Sequence, residues 1–294
     1  GWTGGLVLLG LVFVLSAFLD NIAAAVIGGV VARHVYRGKV SVGFLASIVA
    51  AANAGGAGSV IGDTTTTMMW LSGISPLTVA PAFVGAFAAL LVFGVFGALA
   101  QHRFAPVEQH QGDALVIDWS RVLVVLFVLV CIVGANVGAN LFFPGIEEVI
   151  PVLGIAIWVG LLVALFSRRP DWSVAPGAAK GAAFLVALVA LASFMPVEQL
   201  PPPSNASTFG LGLLSAAFDN IPLTALALEQ GGYNWATLAY AVGIGGSMIW
   251  FGSSAGVALT GMFPEGRSVV RWMREGWHIP LAYGIGFLVM LLVA

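Results

Sequence analysis

The sequence predicts an all-helical, polytopic membrane protein built from two inverted-topology repeats. Each repeat carries a re-entrant helical hairpin and a discontinuous transmembrane helix. Three observations lead there: an apolar composition, a regular spacing of basic clusters, and two matching places where polar residues and glycine interrupt apolar sequence. Of the 294 residues, 60% are hydrophobic and 8% are charged, whereas soluble domains carry roughly 25% charged residues. The apolar residues fall in blocks of roughly 17 to 30, enough to cross a hydrocarbon core about 30 Å thick.

The blocks are Gly4–Ala32, Ser41–Trp70, Val79–Ala100, Trp119–Ala139, Val149–Phe166, Gly177–Met195, Phe209–Leu228, Trp235–Met262 and Trp277–Val293. All 11 Lys and Arg lie between the blocks or at their ends. They form four clusters: Arg33, Arg37 and Lys39; Arg103 and Arg121; Arg168, Arg169 and Lys180; and Arg267, Arg271 and Arg274. The positive-inside rule assigns all four to the cytoplasmic face. Block parity then works only if Phe209–Leu228 enters and leaves on the same side. A stretch that short suits two half-helices, with a tip at Asp219-Asn220 followed by Ile221-Pro222. Proline interrupts a helical hydrogen-bond ladder, and nearby polar side chains can satisfy the freed backbone groups.

The first block carries the same signal. Ser16-Ala17-Phe18-Leu19-Asp20-Asn21-Ile22 compares with Ser215-Ala216-Ala217-Phe218-Asp219-Asn220-Ile221, and both Asp-Asn pairs sit in mid-block. Each is followed by a long block broken by glycine: Asn53 to Asp63 in the first case, Gly243 to Ser253 in the second. Thirty helical residues would extend about 45 Å, more than the bilayer core, so a partly unwound helix fits both. Five crossings separate the two Asp-Asn pairs, an odd number that gives the halves opposite orientation. The chain accordingly divides into a first repeat over 1–100 (hairpin 4–32, broken helix 41–70), a cytoplasmic loop with connecting helices over 101–176, and a second repeat over 177–294 (hairpin 209–228, broken helix 235–262). Discontinuous helices meeting near the midplane point to the binding site of a secondary transporter.

Asp20, Asp63 and Asp219 are the aspartates inside the apolar blocks. A carboxylate in hydrocarbon is costly unless it faces protein, water or a cation. Burial favours its protonated form and a bound cation its ionised form, so one group can hold either a proton or Na⁺. Asp63, Thr65 and Thr66, together with Asp20, supply hard oxygens for an alkali ion, and Asn21, Asn53 and Asn220 add amide oxygens. Ser215, Ser247 and Ser253 flank the tip and the break of the second half. Each residue also has a structural alternative. Asp20 and Asp219 could close the hairpin tips, Asp63 could be the N-cap of a helix over Thr64–Leu71, and Thr64 and Thr67 could bond to backbone. Ser16 and Ser215 could be small packing residues. Helix N-termini at the breaks could also hold an anion, which keeps a carboxylate or oxyanion carrier of the same architecture open as the second reading. Basic residues are missing from the blocks near the breaks, and three buried aspartates favour a cation.

The run Asn53-Ala54-Gly55-Gly56 through Ile61-Gly62-Asp63-Thr64-Thr65-Thr66-Thr67 resembles the NhaD-type sodium/proton antiporters. So do Ser215-Ala216-Ala217-Phe218-Asp219-Asn220-Ile221-Pro222, Gly245-Gly246-Ser247 and Gly252-Ser253-Ser254-Ala255-Gly256-Val257. These antiporters belong to a wider superfamily that includes arsenite, citrate and dicarboxylate carriers. The resemblance covers nearly the whole chain. It implies exchange of cytoplasmic Na⁺ or Li⁺ for external protons in a multi-pass protein of the bacterial inner membrane, with no enzymatic activity. The family's important polar positions match Asp20, Asn21, Asn53, Asp63, Thr65, Thr66, Ser215, Asn220, Ser247 and Ser253. Departures are Ala23, Ala24 and Ala25 where the family has threonines, Val60 where it has proline, and Ile244 where it has threonine. Members are usually longer at the N-terminus, and Gly1 to Phe18 lacks the basic region of a signal peptide, so a truncated start is expected.

Other classes are disfavoured. The single Cys131 rules out a disulfide framework or a cysteine metal site. No phosphate-binding loop motif is present, which disfavours ATP-driven transport by this chain. His34 and His278 are expected near the membrane faces, and His102 and His110 in a cytoplasmic loop. None has ligand spacing, and pH sensing by the two loop histidines stays open. Trp119, Trp235 and Trp277 stand at block edges as interfacial anchors. The expected partners are the lipid bilayer and small ions, with no cofactor and no nucleic acid, and a homodimer is left open.

Overall fold

A computed structural model describes residues 1–106, 119–142, 150–167 and 201–293, with isolated positions between 172 and 194. The described residues are helical and contain no strand. The expected crossing over Gly177–Met195, the linker Asn140–Glu148, and Arg168, Arg169, Lys180 and His110 lie largely or wholly outside them. By contacts the chain forms two units, 1–109 with 184–294, and 110–183. The smaller unit contains α7 (Trp119–Phe142) packed on α8 (Val152–Ala164).

In the larger unit the expected blocks resolve into pairs of short helices. The first block is α1 (Thr3–Ser16) and α2 (Asn21–Val35), and the second is α3 (Val42–Gly56) and α4 (Thr64–Leu71). Ser75 caps α5 (Pro76–Val79), which leads into α6 (Ala82–Phe104). Beyond residue 200 come α9 (Asn205–Ser215), α10 (Asn220–Gln230), α11 (Trp235–Gly245) and α12 (Ser254–Met262). The chain ends with α13 (Val269–Glu275) and α14 (His278–Val293).

Capping explains the boundaries. Asp20 and Asp219 both sit in extended backbone, and their carboxylates accept from Ile22 N and Ile221 N, starting α2 and α10. Asn234 caps α11, Ser253 caps α12, and Ser204 with Ser207 forms a reciprocal capping box on α9. Pro222 falls in the first turn of α10, where no intrahelical N–H is required. It therefore helps to open a helix already started by Asp219 and does not interrupt one, contrary to the expectation from sequence.

The two halves share a packing plan. α1 packs on α3 and α9 on α11, while α2 packs on α12 and α10 on α4. Ser16 Oγ donates to Ala52 O (2.5 Å), and Ser215 Oγ donates to Val242 O (2.7 Å). A Cβ on Gly55 would run into the Phe13 carbonyl, and one on Gly245 into that of Gly212. These glycines are required by backbone approach, not by φ. Ser16 and Ser215, expected as packing residues or ligands, are ties between facing helices.

The basic residues of this unit gather at one end. Gln101 donates to Lys39 O (2.9 Å) and accepts from Ser41 N (2.8 Å), so the Arg33–Lys39 turn lies beside the end of α6 that bears Arg103. The Trp277 ring lies 5.1 Å from that of Phe96, which brings the Arg267–Arg274 segment to the same end. α3 begins there and α12 finishes there, so the two broken helices run in opposite directions. By length and composition, Pro76–Phe104 (29 residues) could cross a bilayer unaided. α13 and α14 pass the same test together, with a bend of 59° between them.

Gly245→Ala is expected to destabilise the protein by about 1–3 kcal/mol, because the facing backbone cannot move aside cheaply. Gly210, on the same helix pair, has open space where a methyl group would stand, with no atom within 4 Å, and Gly210→Ala should be neutral or mildly stabilising. Thermal unfolding of the detergent-solubilised variants separates the two; equal melting temperatures would refute the close-approach argument.

Candidate functional site

The helix is interrupted between α3 and α4 over residues 57–63, and between α11 and α12 over residues 246–253. Where these breaks meet, polar side chains form one continuous hydrogen-bonded chain. Asn21 Nδ2 donates to Asn53 Oδ1 and to Asp63 Oδ1, both at 3.2 Å. Asn53 Nδ2 donates to Ser247 Oγ at 2.9 Å, and the Thr65 hydroxyl donates to Asp63 Oδ2. Asn21, Asn53, Asp63, Thr65 and Ser247 are all buried, with Asp63 only 3% exposed. They come from the start of α2, the end of α3, the cap and first turn of α4, and the second break.

Asp63 occupies the N-cap position of α4, but its carboxylate makes no capping bond to the backbone. Its two oxygens take the Asn21 amide and the Thr65 hydroxyl instead. The capping alternative thus describes its place in the chain, while its two oxygens also serve the Asn21 and Thr65 side chains. At the equivalent place in the second half stands Ser253, which does cap, accepting from Gly256 N (3.3 Å). The charge at this position is thus confined to the first half.

Asp219 is buried, and its second oxygen accepts from Ser254 Oγ at 2.8 Å. Asp219 and Asp20 both lie close enough to Asp63 for their charges to act on it. Asp20 departs from expectation: protein leaves it uncovered, while Asp63 and Asp219 are enclosed. An N-cap at a helix–helix break needs only a backbone N–H, and among the described residues Asp20 keeps an exposed side.

Thr66 is buried but donates to Ser59 O (2.6 Å) and Asp63 O (2.9 Å). Thr67 bonds in the same way to Val60 O and Asp63 O. These hydroxyls brace the unwound segment, as their structural alternative supposed for Thr67, and Thr64 is exposed. Asn220 is buried at the start of α10.

Ser254, in the run that carried the resemblance, flanks the second break and meets Asp219 there. Two further contributors escape sequence reasoning. Trp272, fully buried, donates from Nε1 to Ser247 O at 3.1 Å and so steadies the second break from α13. Its place inside a basic linker hid it. His278, expected near a membrane face, is buried with Nε2 2.8 Å from Ser47 Oγ. Ser47 Oγ also lies 3.0 Å from Gly43 O.

Every ligand in the network is an oxygen or an amide, and no group of three or more His, Cys, Asp or Glu occurs among the described residues. Hard neutral oxygens around one carboxylate suit a monovalent ion better than a transition metal. Comparison with known proteins bears on which ion. The chain is 29% identical over 290 residues to sodium/proton antiporter 1 of Arabidopsis thaliana, covering 85% of this chain and 49% of that protein. It is 29% identical over 305 residues to the Na⁺/H⁺ antiporter NhaD of Vibrio parahaemolyticus, covering 85% and 71%. The NhaD antiporter of Halomonas elongata is 25% identical over 345 residues, covering 96% and 66%. The chain is a relative of the NhaD sodium/proton antiporters. It spans about half the length of the plant antiporter. No protein-family model and no solved structure matches it. In this NhaD relative the polar network occupies the two glycine breaks that carried the resemblance.

The Asn53–Ser247 bond joins the two breaks, so the two side chains should not act independently. Asn53→Ala and Ser247→Ala together are expected to cost less than the sum of the single variants, with a coupling of about 1 kcal/mol in a double-mutant cycle. Denaturant unfolding in detergent measures it. Strict additivity would mean that the bond contributes nothing.

Proposed function

We propose that the chain forms the ion-binding core of a secondary transporter that exchanges Na⁺ or Li⁺ for H⁺ across a plasma membrane by alternating access. The observation that carries this reading is Asp63, a buried carboxylate whose oxygens accept from the neutral donors Asn21 Nδ2 and the Thr65 hydroxyl at the junction of two helix breaks. Such a group needs a positive partner to ionise in a dry site. A proton or an alkali ion can each supply it, and they exclude one another. With Na⁺ as substrate, Asp63, the Thr65 oxygen and the Asn21 and Asn53 amide oxygens are the ligands we assign to it. Asp219, held by Ser254, is the second acidic group available to carry a proton.

The reading extends to architecture. α1–α2 and α9–α10 act as re-entrant hairpins, and the two halves are inverted repeats. The paired serine ties, the paired glycine approaches, the crossed packing of α2 and α10, and the opposed course of the broken helices all support this. An inverted repeat suits alternating access because either half can open its own side by the same movement. Of the two readings, cation exchange is favoured over anion transport because the network holds a carboxylate and no Lys or Arg. The names of the relatives agree with it.

Asp63→Asn keeps the size of the side chain, exchanges one of its two acceptor oxygens for an amide donor, and removes its titration. In everted vesicles or proteoliposomes it should abolish Na⁺-dependent proton movement, a fall of at least about 100-fold, read by a ΔpH-sensitive dye with citrate and arsenite as comparison substrates. The variant should insert at normal levels. Exchange at the unaltered rate and Na⁺ affinity would sink the proposal.

A further inference from the structure

α13 is seven residues long and bent 59° away from the apolar helix that follows it. Its inner side is anchored: Trp272 is fully buried and bonded to Ser247 O, and Gly276 lies against the backbone of Trp272 and the side chain of Ala46. Its outer side combines two features that a water-facing helix would not. Val270 and Met273, 76% and 55% exposed, lie three residues apart on one side of the helix, and Trp277, 51% exposed, stands at the bend just beyond it, so that exposed apolar side chains flank this segment. Arg274 and Arg267 are exposed beside them. Arg271 is neutralised by Glu275 (2.7 Å), whereas Arg274 has no ion-pair partner among the described residues. Arg267 commits only Nε, to Thr260 O at 3.2 Å.

From this geometry we infer that α13 lies in the plane of the membrane interface and binds the headgroups of anionic phospholipids. Val270, Met273 and Trp277 enter the acyl boundary while Arg267 and Arg274 meet the phosphates. A short helix with exposed apolar side chains, an interfacial Trp and adjacent arginines has the properties of an in-plane anchor. Arginine can lie along the apolar surface and still deliver its guanidinium to the phosphate level. The charge complement favours an anionic lipid over a zwitterionic one, because this end of the unit also carries Arg33, Lys39 and Arg103. Through Trp272 the lipid contact leads directly to the second break, so the lipid would act on the segment that positions Ser247. The inference rests on bilayer placement but not on which ion is carried.

Met273→Cys, in a Cys131→Ser background and labelled with a fluorophore, tests it in nanodiscs of the whole chain. Quenching by brominated phosphatidylcholine, brominated phosphatidylglycerol and aqueous iodide is compared. Lipid quenching should exceed iodide quenching, and brominated phosphatidylglycerol should quench about fivefold more effectively than brominated phosphatidylcholine at equal fraction. Arg267→Gln with Arg274→Gln should erase that preference while leaving quenching by phosphatidylcholine. Quenching by iodide alone, or no preference for the anionic lipid, would overturn the inference. A label at the exposed Leu91 of α6 is the control: lipid quenching there with none at 273 refutes the α13 contact and leaves bilayer placement standing.

Discussion

One constraint organises this molecule: a carboxylate, Asp63, is buried at the junction of two helix breaks and must be met by polar groups brought to it from several elements. Asp63 stands at the start of a helix but gives that helix no capping bond. Its oxygens accept from the side chains of Asn21 and Thr65. Buried polar groups must be paired, and a partly satisfied network costs more than an apolar core. The two unwound segments, the asparagine at the tip of the first hairpin, and the serine from the second break are the means by which that demand is met. Glycine at the points of closest backbone approach is what lets the helices bring these groups within reach.

The network is also asymmetric within a symmetric frame. Ser16 and Ser215 repeat each other, as do Asp20 and Asp219 as helix caps, yet the position of Asp63 is held by a capping serine in the other half. The two halves thus share these ties and caps, while the carboxylate of Asp63 is found in one of them. Asp219 has its own hydroxyl donor in Ser254 and sits close enough to influence Asp63 electrostatically.

Much of this could be read from residues alone, because a charged or amide side chain in an apolar block has few reasons to be there. The Asp-Asn pairs marked helix breaks, and the glycine runs marked the unwound segments. What was hidden depended on three dimensions. Asp20 and Asp219 look alike in sequence, but among the described residues the first is exposed and the second is buried beside Ser254. Pro222 reads as a breaker, yet a first-turn proline costs a helix nothing. Ser215 reads as a ligand, and its partner turned out to be a carbonyl on the facing helix. α13 was invisible because seven residues in a basic linker are too short to show a period, and its buried Trp272 has the same signature as an interfacial anchor.

The Asn53–Ser247 bond carries an implication for motion. It is a latch between the two halves of the site: if the breaks drew apart, an amide N–H would lose its acceptor in a region closed to solvent. Separation then becomes tolerable only when something else arrives to occupy those groups, whether water, an ion or a rearranged neighbour. Under the proposed exchange, a gate fastened in this way would resist opening onto an empty passage, and the same atoms that arrange the ligands would hold leakage down.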